Sequence, residues 1–580
     1  MDQELYFYHP LENIEDIDDF YAVTSREHFT KAVSDERPYT YWTIELYDKK
    51  NGIRGGGGLG ILAADMRRIA EQMGVPFVLV TPFYPSETRQ MLKDGRVVDV
   101  HFGVDYRNYG FRLIDTVNIK CRGELCKLEV IQKTFGKTSI LAITEPNFGE
   151  LYSETNSSDH RLYQEVALGF GGYAALKLTG VKPAIIQLNE VSTFFSALAR
   201  LDELVANGMD FYEAVVYTRK HTLYTNHTLV QEMEVEFTRE QFEQYVFPNL
   251  KTLAVRKWMS DKFVDDKIKL SSVTIEIAEL RSGVSKLHSR VANYRDIAGN
   301  RVKFKPITNG IDLSTWVLPE IMAFYREQWI LDDYNVPTEN YNTKMIFITT
   351  EKIREFKARG REILNETLAE RRDQNGMVLQ FVEDDFVFSF KHKLVGYKRF
   401  DLPFKSLAKL RRVLEPRGAH YILTGRADTT DADAMRKLSD ILERIRMDDY
   451  LRDHVHYIAD YDEKLAYALS VGSNATISLP VAGTEACGTA WMKDVANFDI
   501  LISTHDAGVA DVSADNYLSV QGTTEEEELE SLLSRMKEAI IVDGNDFDLE
   551  YTIQRQTEAY LPIISGTRML KEYLDYLFPV

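Results

Sequence analysis

Two α/β domains, each a Rossmann-like, doubly wound sheet and facing each other across a cleft, are the architecture the sequence predicts. Three observations predict it. The chain has 580 residues, well beyond the roughly 250–300 at which a single hydrophobic core stops growing. Apolar runs of strand length recur along it, each followed by a loop or a helix-period stretch. Near residues 307–316 the segment ITNGIDLSTW has a turn-forming composition suited to a changeover between two such series. The expected division is 1–310 and 311–580, the second domain carrying further C-terminal helices. Ligands of such sheets bind at the carboxyl ends of the strands.

The elements follow in order. Residues 39–46 (YTYWTIEL) read as a buried strand leading into a glycine-rich loop and a helix, LAADMRRIAEQMG, that stops at Gly74. PFVLVTPF resumes as a strand. Residues 184–188 form the next strand, before a helix whose Phe194, Phe195, Leu198 and Leu201 recur at helical spacing. A short strand is expected at 221–224. In the second half, FVFSF (386–390), HYILTG (420–425), HVHYIA (454–459) and ATISLP (475–480) repeat the rhythm. TTEEEELESLLSRMKEAI then starts a helix with a threonine cap and an acidic first turn.

Charge narrows the function. With 69 basic and 89 acidic residues the formal net charge is −20, a field that repels nucleic acid and anionic membranes. Three cysteines, Cys121, Cys126 and Cys487, are too few for a disulfide framework and are expected as free thiols. The opening MDQELYFYHPLENIEDIDDF lacks the basic and apolar regions of a signal peptide. No apolar run reaches the roughly 18–20 residues that span a bilayer. The cytoplasm is the expected compartment.

The residues that carry chemistry begin with GTEACGTAWMKDVAN, 483–497. It follows an apolar strand and opens a helix, so the amides of Gly488, Thr489 and Ala490 could receive an anion. Lys493 lies one helical turn past Thr489. A lysine beside a phosphate-receiving turn suits covalent attachment of pyridoxal 5′-phosphate, whose own phosphate would fill the anion site. A solvated helix start with a surface lysine would fit the same spacing. The cation-rich run KHKLVGYKRFDL, 391–402, follows another strand in an acidic chain and suits phosphate binding as well as a solvated face. GGGGLG, 55–60, lets backbone approach an anion without a Cβ in the way.

Several segments, in chain order, resemble those of the α-glucan phosphorylases (glycogen, starch and maltodextrin phosphorylases). Glu485-Ala-Cys-Gly-Thr-x-x-Met-Lys493 is similar to the family's E-A-S-G-T-x-x-M-K, with Cys487 for the usual serine. GGLG with Gly57 and Gly58 is similar to the family's glycine loop. QLNEVSTFF carries Asn189 and Glu190 but Ser192 where a histidine is usual; YTNHT supplies His227 and ITNGI supplies Asn309. Tyr397-Lys398-Arg399 resembles the phosphate segment, with Lys393 replacing an arginine and His392 at a usually basic position. Tyr461, 24 residues before Glu485, matches an aromatic residue beside the cofactor.

The resemblance implies a GT-B type glycosyltransferase fold, pyridoxal 5′-phosphate on Lys493, and cofactor contacts from Gly488, Thr489, Ala490, Tyr461 and His392. It implies Lys398 and Lys393 on phosphate, and His227 and Glu485 on the sugar. Gly57, Gly58, Asn189, Asn309, Tyr397 and Cys487 would contact substrate. The implied reaction is retaining phosphorolysis of terminal α-1,4-linked glucose from an α-glucan or maltooligosaccharide with inorganic phosphate, giving α-D-glucose 1-phosphate, in a homodimer without metal. Lysine at 393 keeps the charge but loses the guanidinium fork. Two other readings stay open: a nucleotide-sugar-dependent glucosyltransferase of glycogen-synthase type, which needs no lysine-bound cofactor, and a catalytically silent glucan-binding protein.

Overall fold

The computed structural model describes residues 33–578, apart from 56, 94, 152–157, 230–235, 297, 329, 333–334, 336–346 and 428–430. The acidic opening segment and Gly56 of the glycine run lie outside the described residues. The chain forms two compact units. The first takes the described residues up to Glu87, Gly103–Ile307 and the stretch from Met569; the second takes Thr88–Phe102 and Thr308–Arg568.

The first unit is built on nine strands: β1 (Tyr39–Trp42), β2 (Phe77–Pro82), β3 (Arg112–Cys121), β4 (Glu124–Phe135), β5 (Thr138–Thr144), β6 (Ile185–Asn189), β7 (Thr222–Asn226), β8 (Leu280–Gly283) and β9 (Lys305–Pro306). Their order is β9-β8-β7-β6-β1-β2-β5-β4-β3. Pairing is parallel from β9 through β5 and antiparallel across β5, β4 and β3. Every residue of β1, β2, β5, β6 and β7 is buried, as expected where helices cover both faces of a parallel sheet. The expected strand 39–46 breaks after Trp42, because the Thr43 hydroxyl donates to the Glu45 carbonyl (2.7 Å) and turns the chain. The antiparallel arm is an addition to the predicted series. Its hairpin turn is Arg122-Gly123, both at positive φ (52° and 79°), so arginine stands where Asn or Asp usually marks a primed turn.

The second unit has six parallel strands: β10 (Val387–Lys391), β11 (His420–Thr424), β12 (Val455–Ile458), β13 (Ala475–Ser478), β14 (Ile500–Thr504) and β15 (Leu518–Val520). Their order, β12-β11-β10-β13-β14-β15, is the doubly wound 3-2-1-4-5-6 pattern. Chain direction across the sheet reverses between β10 and β13, and in the first unit between β1 and β6. Those are the two switch points where such sheets take ligands.

Among the helices, α1 (Gly58–Gln72) follows the glycine run and stops before Gly74, which adopts φ 68°. Helix α2 (Phe194–Ala206) buries the four predicted apolar residues. Helix α3 (Thr350–Ala369), capped by Thr349, packs so closely that a Cβ on Gly360 would overlap the Val471 carbonyl. The short α4 (Ala490–Val495) carries Lys493. Helix α5 (Glu525–Asp543) has the predicted cap, Thr524 accepting from the Glu527 amide at 3.2 Å. It is followed by α6 (Asp546–Ile564) and α7 (Gly566–Leu577). Met569, Leu570, Tyr573 and Leu574 of α7 pack into the first unit's core with Tyr39, Phe77 and Leu79. All three cysteines are free. Among the described residues no helix is long and apolar enough to cross a membrane.

Candidate active site

At the second unit's switch point, β10 ends in Lys391 and runs on into His392, while β13 leads into Pro480 and the turn that starts at Gly483. A small recess, partly open to solvent, is lined by His392, Ser478 and Pro480 from these strand ends, by Lys398, and by Glu485, Gly488 and Trp491 from the turn and α4. Asp506, Ala507 and Val509 from the loop after β14 complete it. Lys398 and Glu485 form an ion pair in which both side chains are largely enclosed. Burial by itself favours loss of the Lys398 proton, but Glu485 and the Tyr397 hydroxyl outweigh it and raise the pKa. The amine is therefore a fixed cation. His392 is the reverse case: burial, then Lys398 and Lys391, push it well below the usual histidine range. It is a neutral wall.

Behind the recess, the Lys391 amine pairs with Asp494 on α4, at 0% and 1% side-chain exposure, and the Thr476 hydroxyl donates to the other Asp494 oxygen at 2.7 Å. This ties β10, β13 and α4 together. Lys493, 2% exposed, places its amine 3.2 Å from the centre of the Trp316 ring. Thr489 is the N-cap of α4, whose first turn carries no side-chain cap; Ala490 opens the helix. Asn309 donates its amide to the Cys487 carbonyl at 3.2 Å, and its buried Oδ1 has no partner. The Cys487 thiol is pushed up by burial and by Asp511, while the backbone amides of Asn309 and Gly508 act against that rise. A Cβ on Gly508 would lie 2.8 Å from the Cys487 sulfur.

The first unit's switch point gathers a second set. Asn189 ends β6, and its amide nitrogen donates to Thr43 Oγ1 (3.3 Å), so its oxygen faces His227 Nε2 at 2.7 Å. This network assigns the hydrogen to Nε2 and leaves Nδ1 as an acceptor. Burial, with His288 adding to it, lowers the His227 pKa to about 3, so the ring is neutral. Glu190 accepts from the His227 amide at 2.6 Å and the Thr228 hydroxyl at 3.0 Å. Burial raises its pKa, with the His227 and Val191 amides and the Thr228 hydroxyl working against the rise and Glu45 adding to it. The Gly57 amide donates to Glu45 Oε2 at 2.9 Å. A Cβ on Gly57 or Gly58 would meet nothing within 4 Å, so space is open over this turn.

Thus Lys398, Glu485, Gly488 and His392 are brought to one recess, and Asn189 and His227 to one hydrogen bond. Lys393 and Tyr397 are exposed on the same loop. Tyr461 packs against the core cluster that includes Leu364, Ile458 and Leu465 and is not among the residues lining the recess. Sequence reasoning missed Lys391 with Asp494, Asp506 and Trp316. Two of them had a signal: Lys391 is the first cation after a buried strand, and Asp494 directly follows Lys493.

Two doubly wound α/β units, with a cation and an uncapped helix start at a switch point, match the architecture of the GT-B class of glycosyltransferases. Residues 181–559 match the family described as carbohydrate phosphorylase, and the chain belongs to that family. It is 23% identical to the maltodextrin phosphorylase of Thermococcus litoralis, over 94% of this chain and 70% of that one. It is 25% identical to the glycogen phosphorylases of Mycobacterium tuberculosis and Aquifex aeolicus, in each case over 78% of this chain and over 58% and 71% of theirs. Against the mycobacterial relatives the chain thus spans less than two thirds of their length.

Members of this family generally use pyridoxal phosphate, and the residues present fit it. The Lys493 amine is buried against an aromatic face, the helix beside it lacks an internal cap, and a Cβ on Gly488 would crowd Glu485 Oε1 at 3.2 Å.

Proposed function

We propose that this chain catalyses the phosphorolysis of terminal α-1,4-linked glucose from an α-glucan or maltodextrin, giving α-D-glucose 1-phosphate with retention. The observation that carries this reading is the Lys398–Glu485 pair in the recess that α4, the helix of Lys493, helps to line. Lys398 is held charged, and orthophosphate is the co-substrate that needs a desolvated cation. When phosphate takes the amine, Glu485 is released to accept hydroxyl protons of the sugar. Pyridoxal phosphate bound at Lys493 supplies a second phosphoryl group for acid–base chemistry. Gly488, Thr489 and Ala490 offer backbone donors at the start of α4. The neutral His227 offers Nδ1 to a sugar hydroxyl, and Asn189 fixes its ring. Glu45 already occupies the Gly57 amide, so the Gly58 amide is the better donor in the glycine turn. Three free thiols suit the cytoplasm, and the family resemblance supports a homodimer.

Purified protein incubated with maltodextrin and phosphate is expected to form glucose 1-phosphate. Borohydride reduction is expected to fix a pyridoxyl group on the peptide containing Lys493, and Lys493→Ala is expected to lose both the chromophore and turnover. A colourless, unmodified protein that uses ADP- or UDP-glucose would replace this reading with a nucleotide-sugar transferase.

A further inference from the structure

The recess holds one group that the proposed reaction does not yet use. Asp506, in the loop after β14, is 1% exposed. Its Oδ2 accepts from the Glu485 amide at 3.0 Å and from the Thr484 amide at 3.3 Å. The Gly483 and Ala507 amides also face the carboxylate, yet its other oxygen, Oδ1, is enclosed and has no partner in hydrogen-bonding geometry, and Asp506 lines the recess beside Lys398 and Glu485. The loop is held in this shape at some cost, since Ala507 adopts φ 52° and Gly508 lies against the Cys487 sulfur.

An ionised carboxylate is acceptor-only, and a buried acceptor without a donor is rare and unfavourable in a folded protein. The missing partner is therefore a donor. Lys398 already faces Glu485, and among the described residues no group of side chains could hold a metal ion. A hydroxyl is the donor that leaves no net charge beside two carboxylates.

We propose that Asp506 is a specificity residue whose Oδ1 accepts a hydrogen bond from a hydroxyl group of the bound substrate. This rests on the phosphorylase reading of the recess. Two substrate hydroxyls share that chemistry, a sugar O–H and the P–OH of orthophosphate. A site with an obligate acceptor takes hydroxyl-bearing ligands and rejects isosteres that lack the proton, because its own buried oxygen is then left unpaired and, for an anion, repels it. If the partner is phosphate, sulfate is excluded. If it is the sugar, one deoxy position is excluded.

The test uses the full-length protein, calorimetric titration and turnover, with wild type and Asp506→Asn. The variant keeps the shape and an oxygen for the two amides but presents an NH₂ where Oδ1 stood. Probes are phosphate, sulfate, glucose and its monodeoxy analogues. Wild type is expected to prefer either phosphate over sulfate, or glucose over one monodeoxyglucose, by at least about tenfold. Asp506→Asn is expected to erase that one preference while leaving the others within about twofold. A phosphate-over-sulfate loss identifies the P–OH, and a single deoxy position identifies the sugar. Equal weakening of every ligand by the variant would make Asp506 a clamp for the Glu485 turn and overturn the proposal. Should Asp506→Asn not fold, wild type that binds sulfate like phosphate and every deoxy sugar like glucose overturns it equally. Absence of glucose 1-phosphate formation by wild type would strike the phosphorolysis reading, whereas the binding arms judge Asp506 regardless of turnover.

Discussion

Glu190 sits at φ 76° and ψ 162°, a region of backbone space that belongs almost wholly to glycine and costs a side-chain-bearing residue about 1–3 kcal/mol. The strain persists because the carboxylate is bound at both oxygens: to the adjacent Val191 amide at 3.2 Å, and to the His227 amide and Thr228 hydroxyl beyond the neighbouring strand β7. Glycine at 190 would remove the strain and the bonds together, whereas alanine would remove the bonds alone. Glu190→Ala is therefore expected to be less stable than Glu190→Gly by about 1–3 kcal/mol in urea denaturation. Both variants are expected to lose turnover, because the His227 loop is no longer fixed. Cys487 makes a related point: the family's serine position carries a thiol here, and its sulfur packs against Gly508. Glycine is required there by close approach of the sulfur.

Among elements, the joint between β10, β13 and α4 bears most on the site, because the Lys391–Asp494 pair fixes the helix that carries Lys493. Removing one member of a buried pair leaves the other charge uncompensated, at about 3–5 kcal/mol. Lys391→Met is expected to lose that much stability in chemical denaturation, and Lys391→Met combined with Asp494→Leu is expected to recover most of it. The second unit's first four strands were legible in the sequence because each is a continuous apolar run bounded by turn residues. Helix α5 was legible from its threonine cap and glutamates. The arm β3–β5 was not, since the first half of β3 (Arg112 to Asp115) is exposed and shows no alternation, and its turn is an arginine at positive φ. Of the candidate site, Lys398, Glu485 and Gly488 line the recess, and they and Lys493 were singled out in the sequence by their resemblance to the family's motifs. Asp506 and Trp316 were not, for they reach the site through strand order, which spacing along the chain does not encode.

At the scale of the molecule, histidines buried in neutral form set how the fold responds to acid. Burial holds His227 at about 3 and His288 at about 4, against roughly 6.5 in an unfolded chain. With folded values below the unfolded one, the unfolded state binds protons first as pH falls through about 6.5. Each such histidine then removes about 1.4 kcal/mol of stability per pH unit until its folded value is reached. Glu190, whose carboxyl is raised, acts in the opposite sense nearer the carboxylate range. The urea midpoint is expected to drop between pH 6.5 and 4.5, and His288→Gln is expected to flatten that drop. A slope unchanged by the substitution would assign acid sensitivity to other groups.

Helix α7 closes the core around Tyr39 and Phe77 with residues that follow the whole of Thr308–Arg568. On the ribosome, the amino-terminal half of this protein emerges early yet stays an unfinished globule until translation has run through the other half. A nascent chain released just before Met569 would hold every residue of the second unit and still leave the first without its closing helix.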